Sequence, residues 1–245
     1  MGNIKPIVVG SGMMARYFSA SSFQRKVLIF ASGVSNSKEV ETREFQRERD
    51  LLEKVVESNQ GLEIIYFSST NILSPNVSAY FEHKIRMEEL LCTLTERYYI
   101  FRLPQVVGVV MNNTLISYLA RSCMECTCVD IHEYAVRNLI DVEDVIRIVT
   151  FLVNERIGAG SAQILASGSN VKVTDLVEEV CEILGVPCVI NSIPKGDDQT
   201  VSIDYLRENL DDTDPVLHSD YWRCVLQKYV PQLKERILIE KANPN

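Results

Sequence analysis

The chain has 245 residues, 46% of them hydrophobic and 24% charged, with a formal net charge of −8. That length suits one α/β domain, or one domain with a small second lobe, and the composition is that of an ordinary globular chain. The negative charge argues against binding nucleic acid by phosphate neutralisation, and no apolar run approaches the roughly 20 residues of a membrane span. Met1-Gly2-Asn3-Ile4-Lys5-Pro6 lacks the pattern of a signal peptide, so a cytoplasmic location is the expectation. Cys92, Cys181, Cys188 and Cys224 fall inside apolar helix or strand patterns, where a buried free thiol is the usual state.

Residues 5–9 read as a first strand, followed by Gly10-Ser11-Gly12-Met13-Met14-Ala15 and a helix. Glycines in such a G-x-G-x-x-A turn permit a tight bend and close backbone approach to a pyrophosphate, and the helix start favours the anion. Gly10, Gly12, Met13 and Met14 are therefore candidate dinucleotide contacts; the competing reading is a plain strand-to-helix turn. Residues 26–33 form the next strand, 38–58 a charged amphipathic helix, and Ile64 to Phe67 a short buried strand that ends in Ser68, Ser69 and Thr70. After a turn at Ser74–Asn76, a helix begins near Ser78 and carries Tyr80 and Lys84 on one face.

That spacing has a chemical use. A free tyrosine titrates near pH ~10 and is a poor proton donor or acceptor at neutral pH. An ammonium one helical turn away favours the phenolate and lowers its pKa. A strand-end hydroxyl would hold the substrate oxygen beside the phenol. The alternative is a surface Tyr and Lys on an amphipathic helix. His83 projects off this face by helical angle and reads as a packing or surface residue.

Residues 98–102 form another strand, 114–123 a helix, and Asp141 caps a helix running to about Val153. A short strand at Ala162 to Ala166 follows. A helix then starts behind Thr174 as N-cap and ends at Gly185, and a strand covers Pro187 to Ile193. The remainder reads as polar loop and short helix. Alternating strands and helices indicate a parallel, doubly wound sheet.

Strand–Ser/Thr–loop–Tyr-x-x-x-Lys resembles the active-site stretch of the short-chain dehydrogenases/reductases. The order of the pieces along nearly the whole chain resembles their extended branch, the NAD-dependent epimerase/dehydratase family of nucleotide-sugar enzymes. The resemblance implies an α/β, Rossmann-like doubly wound sheet with a small C-terminal substrate lobe. The dinucleotide-binding domain would comprise 1–110 and 138–168, and the lobe 111–137 and 169–245. It implies NAD or NADP as cofactor, with Thr70, Tyr80 and Lys84 as the catalytic set. Ala31, Ser32 and Gly33, in Phe30-Ala31-Ser32-Gly33, and Pro104, in Arg102-Leu103-Pro104-Gln105, join Tyr80 and Lys84 as cofactor contacts. Thr70 would also touch the substrate, and Arg137, in Val136-Arg137-Asn138-Leu139-Ile140-Asp141, would bind its diphosphate. A homodimer through the helices at 38–58 and 78–97 is implied as well.

The expected function is thus an NAD(P)-dependent nucleotide-sugar reductase or epimerase, in surface polysaccharide sugar biosynthesis. The alternative is a non-catalytic sensor or scaffold of the same fold. Two departures bear on the choice. Only about a dozen residues separate the glycine turn from the Lys26 strand, so a strand-helix-strand section is missing, with the acidic residue that holds the adenosine ribose. Asn71 and Ile72 stand where the family's sugar dehydratases carry Asp-Glu, which disfavours a 4,6-dehydratase. Cys123-x-x-Cys126-x-Cys128 with His132 could supply zinc ligands, but Cys-x-Cys is unusual spacing for a structural site, and no metal is expected.

Overall fold

A computed structural model of the chain describes residues 2–73, 78–110, 114–125 and 127–242. The turn expected at Ser74–Asn76 and Cys126 lie outside them. In chain order the elements are β1 (Ile7–Val9), α1 (Met13–Ala20), β2 (Val27–Phe30), α2 (Thr42–Ser58), β3 (Glu63–Ser69), α3 (Ala79–Leu94), β4 (Tyr98–Leu103), β5 (Gln105–Val107), α4 (Leu115–Met124), β6 (Val129–His132), β7 (Val136–Asp141), α5 (Val142–Asn154), β8 (Ala162–Ile164), β9 (Asn170–Lys172), α6 (Val173–Leu184), β10 (Ile190–Ile193), α7 (Asp204–Asn209) and α8 (Tyr221–Ala242). They form two compact units, one of Met1–Leu103 and Val142–Leu165, the other of Pro104–Asp141 and Ala166–Asn245.

The first unit is a parallel sheet in the order β1-β2-β3-β4-β8. Every residue of the apolar run Val27–Phe30 is buried, as befits a strand covered on both faces. Side chains alternate across a strand, so Ile64 and Tyr66 of β3 face one side and Phe67 the other. On the first side Leu52 and Val56 of α2 and Met87 and Leu91 of α3 pack with Leu28, Phe30, Ile64, Tyr66 and Ile100. On the second, Phe67 stacks on Phe18 of α1 at 5.2 Å, and α1 packs with α5. β1 pairs directly with β2 and has no outer neighbour among the described residues; its Ile7 is 49% exposed. The sheet therefore lacks the strand-helix-strand section, as the short spacing in the sequence indicates.

The second unit holds the three-stranded sheet β5-β7-β9 and the pair β10-β6. β5 pairs in parallel with β7 over Gln105–Val107 and Leu139–Asp141. This pairing moves the division between units to Leu103/Pro104 and Asp141/Val142, away from 110/111 and 137/138 in the sequence reading. Gly185, at φ 68°, closes α6 as expected, but the helix begins at Val173 with Lys172 as its N-cap, ahead of Thr174. The polar loop and short helix expected at the C-terminus give way to α8, a helix of 22 residues. Trp222, Val225, Leu226, Tyr229, Val230, Leu233 and Ile237 make a buried stripe at helical spacing. Pro231 lies inside it, and a proline there reads in sequence as a break. No helix among the described residues is long and apolar enough to cross a membrane.

The glycine turn after β1 separates two kinds of glycine. Gly10 has φ +132°, and a Cβ there would lie 2.3 Å from the Ala31 carbonyl oxygen, whereas a Cβ on Gly12 meets nothing within 4 Å. Gly10→Ala is expected to lower the thermal unfolding midpoint markedly or to abolish folding, while Gly12→Ala changes it by only a few degrees. Equal effects of the two would contradict this packing of the turn.

Candidate active site

In the first unit the candidate residues gather where β1, β2 and β3 end. Gly10 abuts the Ala31 carbonyl, and the Ala31 N–H donates to Val9 at 2.8 Å, so the turn and the segment after β2 are locked together. Gly12 is the N-cap of α1 and supplies no side-chain cap, which leaves the first-turn amides of Met13 and Met14 without that partner. Such a helix start suits an anion. Ser78 caps α3, its Oγ accepting from the Phe81 N–H at 3.3 Å, and this sets where Tyr80 and Lys84 sit on the helix.

The Lys84 side chain is not directed at Tyr80 alone. Its Nζ donates to Glu48 Oε1 at 3.0 Å and to the Tyr66 hydroxyl at 3.1 Å, and stands 5.8 Å from the Tyr80 ring centre. Glu48, on α2, is fully buried. Its carboxylate also accepts from the Val34 N–H at 2.6 Å and the Tyr66 hydroxyl at 2.7 Å, and lies 2.9 Å from His83 Nε2. His83 is buried and stacked on Phe45 of α2 at 4.5 Å, so it packs α3 on α2 and shares the same acid. Burial pushes the Glu48 carboxyl up, but the Lys84 charge and the hydrogen bonds from His83, Val34 and Tyr66 outweigh it and hold the group at about 2. Gly33 closes over this pair. A Cβ on Gly33 would come within 2.8 Å of Lys84 Nζ and 2.9 Å of Glu48 Oε1.

Burial raises the Tyr80 phenol above its ordinary value. The Lys84 charge pulls it down, Glu48 pushes it up again, and a hydrogen bond with the Ser69 side chain lowers it. The sequence expectation of a depressed tyrosine pKa is therefore corrected: desolvation and the neighbouring carboxylate offset the ammonium. Ser69 is the strand-end hydroxyl that meets Tyr80, while Thr70 is buried and donates to the Leu103 carbonyl at a long 3.5 Å. The cluster Ser68-Ser69-Thr70 was legible in the sequence; which member reaches the phenol depends on the short 3₁₀ turn Thr70–Leu73 that follows β3. Sequence reasoning missed Glu48. Its one signal was a charged residue at a core position of an amphipathic helix, i−4 from Leu52 and i−8 from Val56.

Two candidate residues belong to the second unit. Pro104 opens it, immediately after β4. Arg137 on β7 donates to the Asp197 carboxylate at 2.8 Å, to the Asp197 carbonyl at 3.0 Å and to the Val136 carbonyl at 2.8 Å. Burial pushes the Asp197 carboxyl up, and Arg137 pulls it below its ordinary range. Asp141 accepts from Tyr229 at 2.6 Å and Lys228 at 2.7 Å. Of the four thiols expected to be buried only Cys181 is; Cys92, Cys188 and Cys224 are exposed. Cys181 Sγ lies 3.3 Å from Cys123 Sγ, and burial pushes Cys181 up to about 11. No group of His, Cys, Asp or Glu among the described residues could hold a metal ion. A cleft of about 250 Å³ lined by Asn59–Leu62 and Leu94–Arg97 lies at the start of β3 and β4, the end of a parallel sheet opposite to where ligands bind.

No family model matches the chain, and no curated protein matches it significantly by sequence. Its fold is that of the NAD(P)-dependent short-chain dehydrogenase-type nucleotide-sugar enzymes. Solved structures similar to it include RMD from Pseudomonas aeruginosa complexed with NADPH, 16% identical, with TM-score 0.74, covering 94% of this chain and 99% of that one. UDP-glucose 4-epimerase of Thermotoga maritima with UDP-glucose is 19% identical, with TM-score 0.66 and 92% and 82% of the two chains covered. dTDP-glucose 4,6-dehydratase of Bacillus anthracis in complex with NAD is 14% identical, with TM-score 0.68 and 86% and 72% covered.

A carboxyl held at about 2 against an ordinary 4.5 contributes roughly 3 kcal/mol to stability. Because the folded group binds its proton at lower pH than the unfolded one, this contribution is complete above about pH 4.5 and is lost as pH falls toward 2. Glu48→Gln is expected to cost about 3–5 kcal/mol at neutral pH, since it leaves the Lys84 ammonium buried and unpaired. The gap from the parent should narrow between pH 4.5 and 2 in urea unfolding, and a gap independent of pH would contradict the role given to Glu48.

Proposed function

We propose that the chain is an NAD(P)-dependent nucleotide-sugar reductase or epimerase using Thr70, Tyr80 and Lys84. The observation that carries this reading is Tyr80 and Lys84 one turn apart on α3, with the hydroxyls of Ser69 and Thr70 at the end of β3. The residues fit a dinucleotide at two points. The start of α1 is uncapped by side chains and open beyond Gly12, which suits a pyrophosphate near Gly10, Met13 and Met14. Lys84 has three donors, of which Glu48 and Tyr66 take two, so one remains for a ribose hydroxyl beside Ala31, Ser32 and Gly33. The nicotinamide would supply hydride transfer. Tyr80 would exchange a proton with the sugar oxygen, and Thr70, whose bond to Leu103 is long, would turn its hydroxyl to the same oxygen. Pro104 would border the nicotinamide, and Arg137 would pair with the substrate diphosphate in competition with Asp197.

We place the enzyme in the cytoplasm, in sugar supply for a surface polysaccharide, and as a homodimer through α2 and α3. The outward residues of these helices, Arg43, Arg47, Arg49, Lys54, Glu82 and Arg86 among them, would make that interface polar. A non-catalytic binding protein of the same fold is the second reading, favoured by the missing section beside β1 and by the Lys84–Glu48 pair.

Tyr80→Phe removes one oxygen and keeps the ring. Turnover of any substrate should vanish with ligand binding and fold intact, and an active variant would sink the assignment. Calorimetry with NADH, NADPH and a nicotinamide mononucleotide tests the cofactor. Losing a hydrogen bond to a charged acceptor costs roughly 1.5–3 kcal/mol, a tenfold to hundredfold rise in Kd. The adenosine half should therefore add little to the affinity of the fragment. Tight binding of the whole dinucleotide with the fragment undetected would show an adenosine pocket rebuilt elsewhere, and no binding of any would favour the second reading.

Arg137→Ala should raise KM for a nucleotide-sugar and leave kcat nearly unchanged. Asp197→Asn, which removes the competing negative charge while the backbone carbonyls of Val136 and Asp197 still hold the guanidinium, should lower KM. A large fall in kcat at constant KM would remove Arg137 from the diphosphate role.

A further inference from the structure

Three thiols of the second unit meet in a chain. Cys188 donates to Cys181, and Cys181 donates to Cys123 with the two sulfurs 3.3 Å apart. The fold brings them together from three places. Cys123 lies near the end of α4 and Cys181 in the last turn of α6, and these two helices pack on each other. Gly185 then closes α6, and the Val186 N–H donates to the Cys181 carbonyl at 3.1 Å, so the chain folds back over the last turn and returns Cys188 to Cys181. One end of the series is open to solvent: Cys188 is exposed, whereas Cys181 and Cys123 are only 4% and 3% exposed. A thiol pair this close needs little movement to become a disulfide, whose sulfurs stand about 2.05 Å apart. Nothing as large as a peptide disulfide reaches either buried sulfur directly.

We propose that Cys188, Cys181 and Cys123 form a modification site that takes up a small disulfide oxidant at the surface and passes the oxidation inward, ending on a Cys123–Cys181 disulfide between α4 and α6. The Cys188 thiolate attacks one sulfur of the oxidant, forms a mixed disulfide and expels the other half as a thiolate. Cys181 gives up its proton and attacks the Cys188 sulfur, which breaks the mixed disulfide and releases the second half. Cys123 gives up its proton and attacks the Cys181 sulfur, and Cys188 leaves as a thiol. In sum, two cysteine thiols lose two electrons and two protons, and the S–S bond of the oxidant is reduced to two thiols. Access sets the order, since the oxidant meets Cys188 first. The exchange is slow at neutral pH. Partial desolvation, the bond to Cys181 and the Glu178 charge push the Cys188 thiol up to about 11, so about one molecule in ten thousand is thiolate at pH 7. The site therefore responds to sustained oxidation and not to a brief pulse. It is independent of the dinucleotide reading above.

The test incubates the folded protein with oxidised glutathione at about pH 9, where the Cys188 thiolate is roughly a hundredfold more abundant than at pH 7. The reaction is quenched with acid and the bonds are mapped by mass spectrometry of the peptides. In the parent, Cys123 and Cys181 should be joined, with Cys188 a thiol or carrying a glutathione taken up afterwards. In Cys188→Ser the same bond should form at least tenfold more slowly, because the entry at the surface is gone. In Cys123→Ser the bond should stop at Cys181–Cys188, and in Cys181→Ser glutathione should remain on Cys188. A parent left unmodified would overturn the proposal, as would one in which Cys188 carries glutathione while Cys123 and Cys181 stay thiols. A bond from Cys188 to Cys128, the exposed thiol just before β6 in the β6–β10 pair, would also overturn it. So would a Cys188→Ser protein that joins Cys123 to Cys181 at the parent rate. If the two core variants do not fold, the parent map and the surface variant Cys188→Ser decide.

Discussion

A buried ion pair organises the first unit. Glu48 and Lys84 are both almost wholly removed from water, and burying each ion costs several kcal/mol after relaxation. Their attraction offsets that cost only because every oxygen and most protons are also used. The carboxylate accepts from the Val34 amide, Tyr66 and Lys84 and meets His83, while the ammonium donates to Glu48 and Tyr66. These bonds tie together the segment after β2, the central strand β3 and both helices on one face of the sheet. The backbone at Gly33 passes close over the same pair, so a Cβ there, 2.8 Å from Lys84 Nζ and 2.9 Å from Glu48 Oε1, would push their ends aside. The glycine that the family resemblance assigns to the cofactor thus also gives this pair room.

The sheet is a shortened form of the fold it resembles. With the strand-helix-strand section gone, β1 becomes an edge, a position where unpaired backbone invites association. The chain limits that hazard by making β1 only three residues long and placing Lys5 and Pro6 before it. What survives is the half of the sheet that carries the glycine turn, the strand-end hydroxyls and the Tyr–Lys helix. That half is where proton transfer and the nicotinamide would sit in the proposed function, and the lost half is the adenosine side. In the proposed function, a chain this short would keep the part of the fold that carries the chemistry and hold the rest of a dinucleotide less tightly.

Much of this was legible in the sequence because it depends on local periodicity. The apolar runs at β2 and β3, the start of a helix near Ser78, the C-cap at Gly185 and the short spacing between the turn and β2 each fix structure within a few residues. The failures are tertiary. Pro231 disguised α8, whose stripe is stabilised by burial and not by local propensity. Cys92 and Cys224 lie on the outer faces of their helices, which hydrophobicity of the residue type does not reveal. Glu48 looked like one more charge in a solvated helix face. Only the approach of Lys84, 36 positions away, makes it the partner that changes the environment of Tyr80.

The central claim is that the buried Glu48–Lys84 pair holds α2 and α3 to β3. A double-mutant cycle on Glu48→Gln and Lys84→Met, read from urea unfolding at neutral pH, measures this directly. The account predicts that each single change is severe and that the pair together costs far less than their sum, with a coupling energy of roughly 2–3 kcal/mol. Additivity within about 0.5 kcal/mol would contradict it.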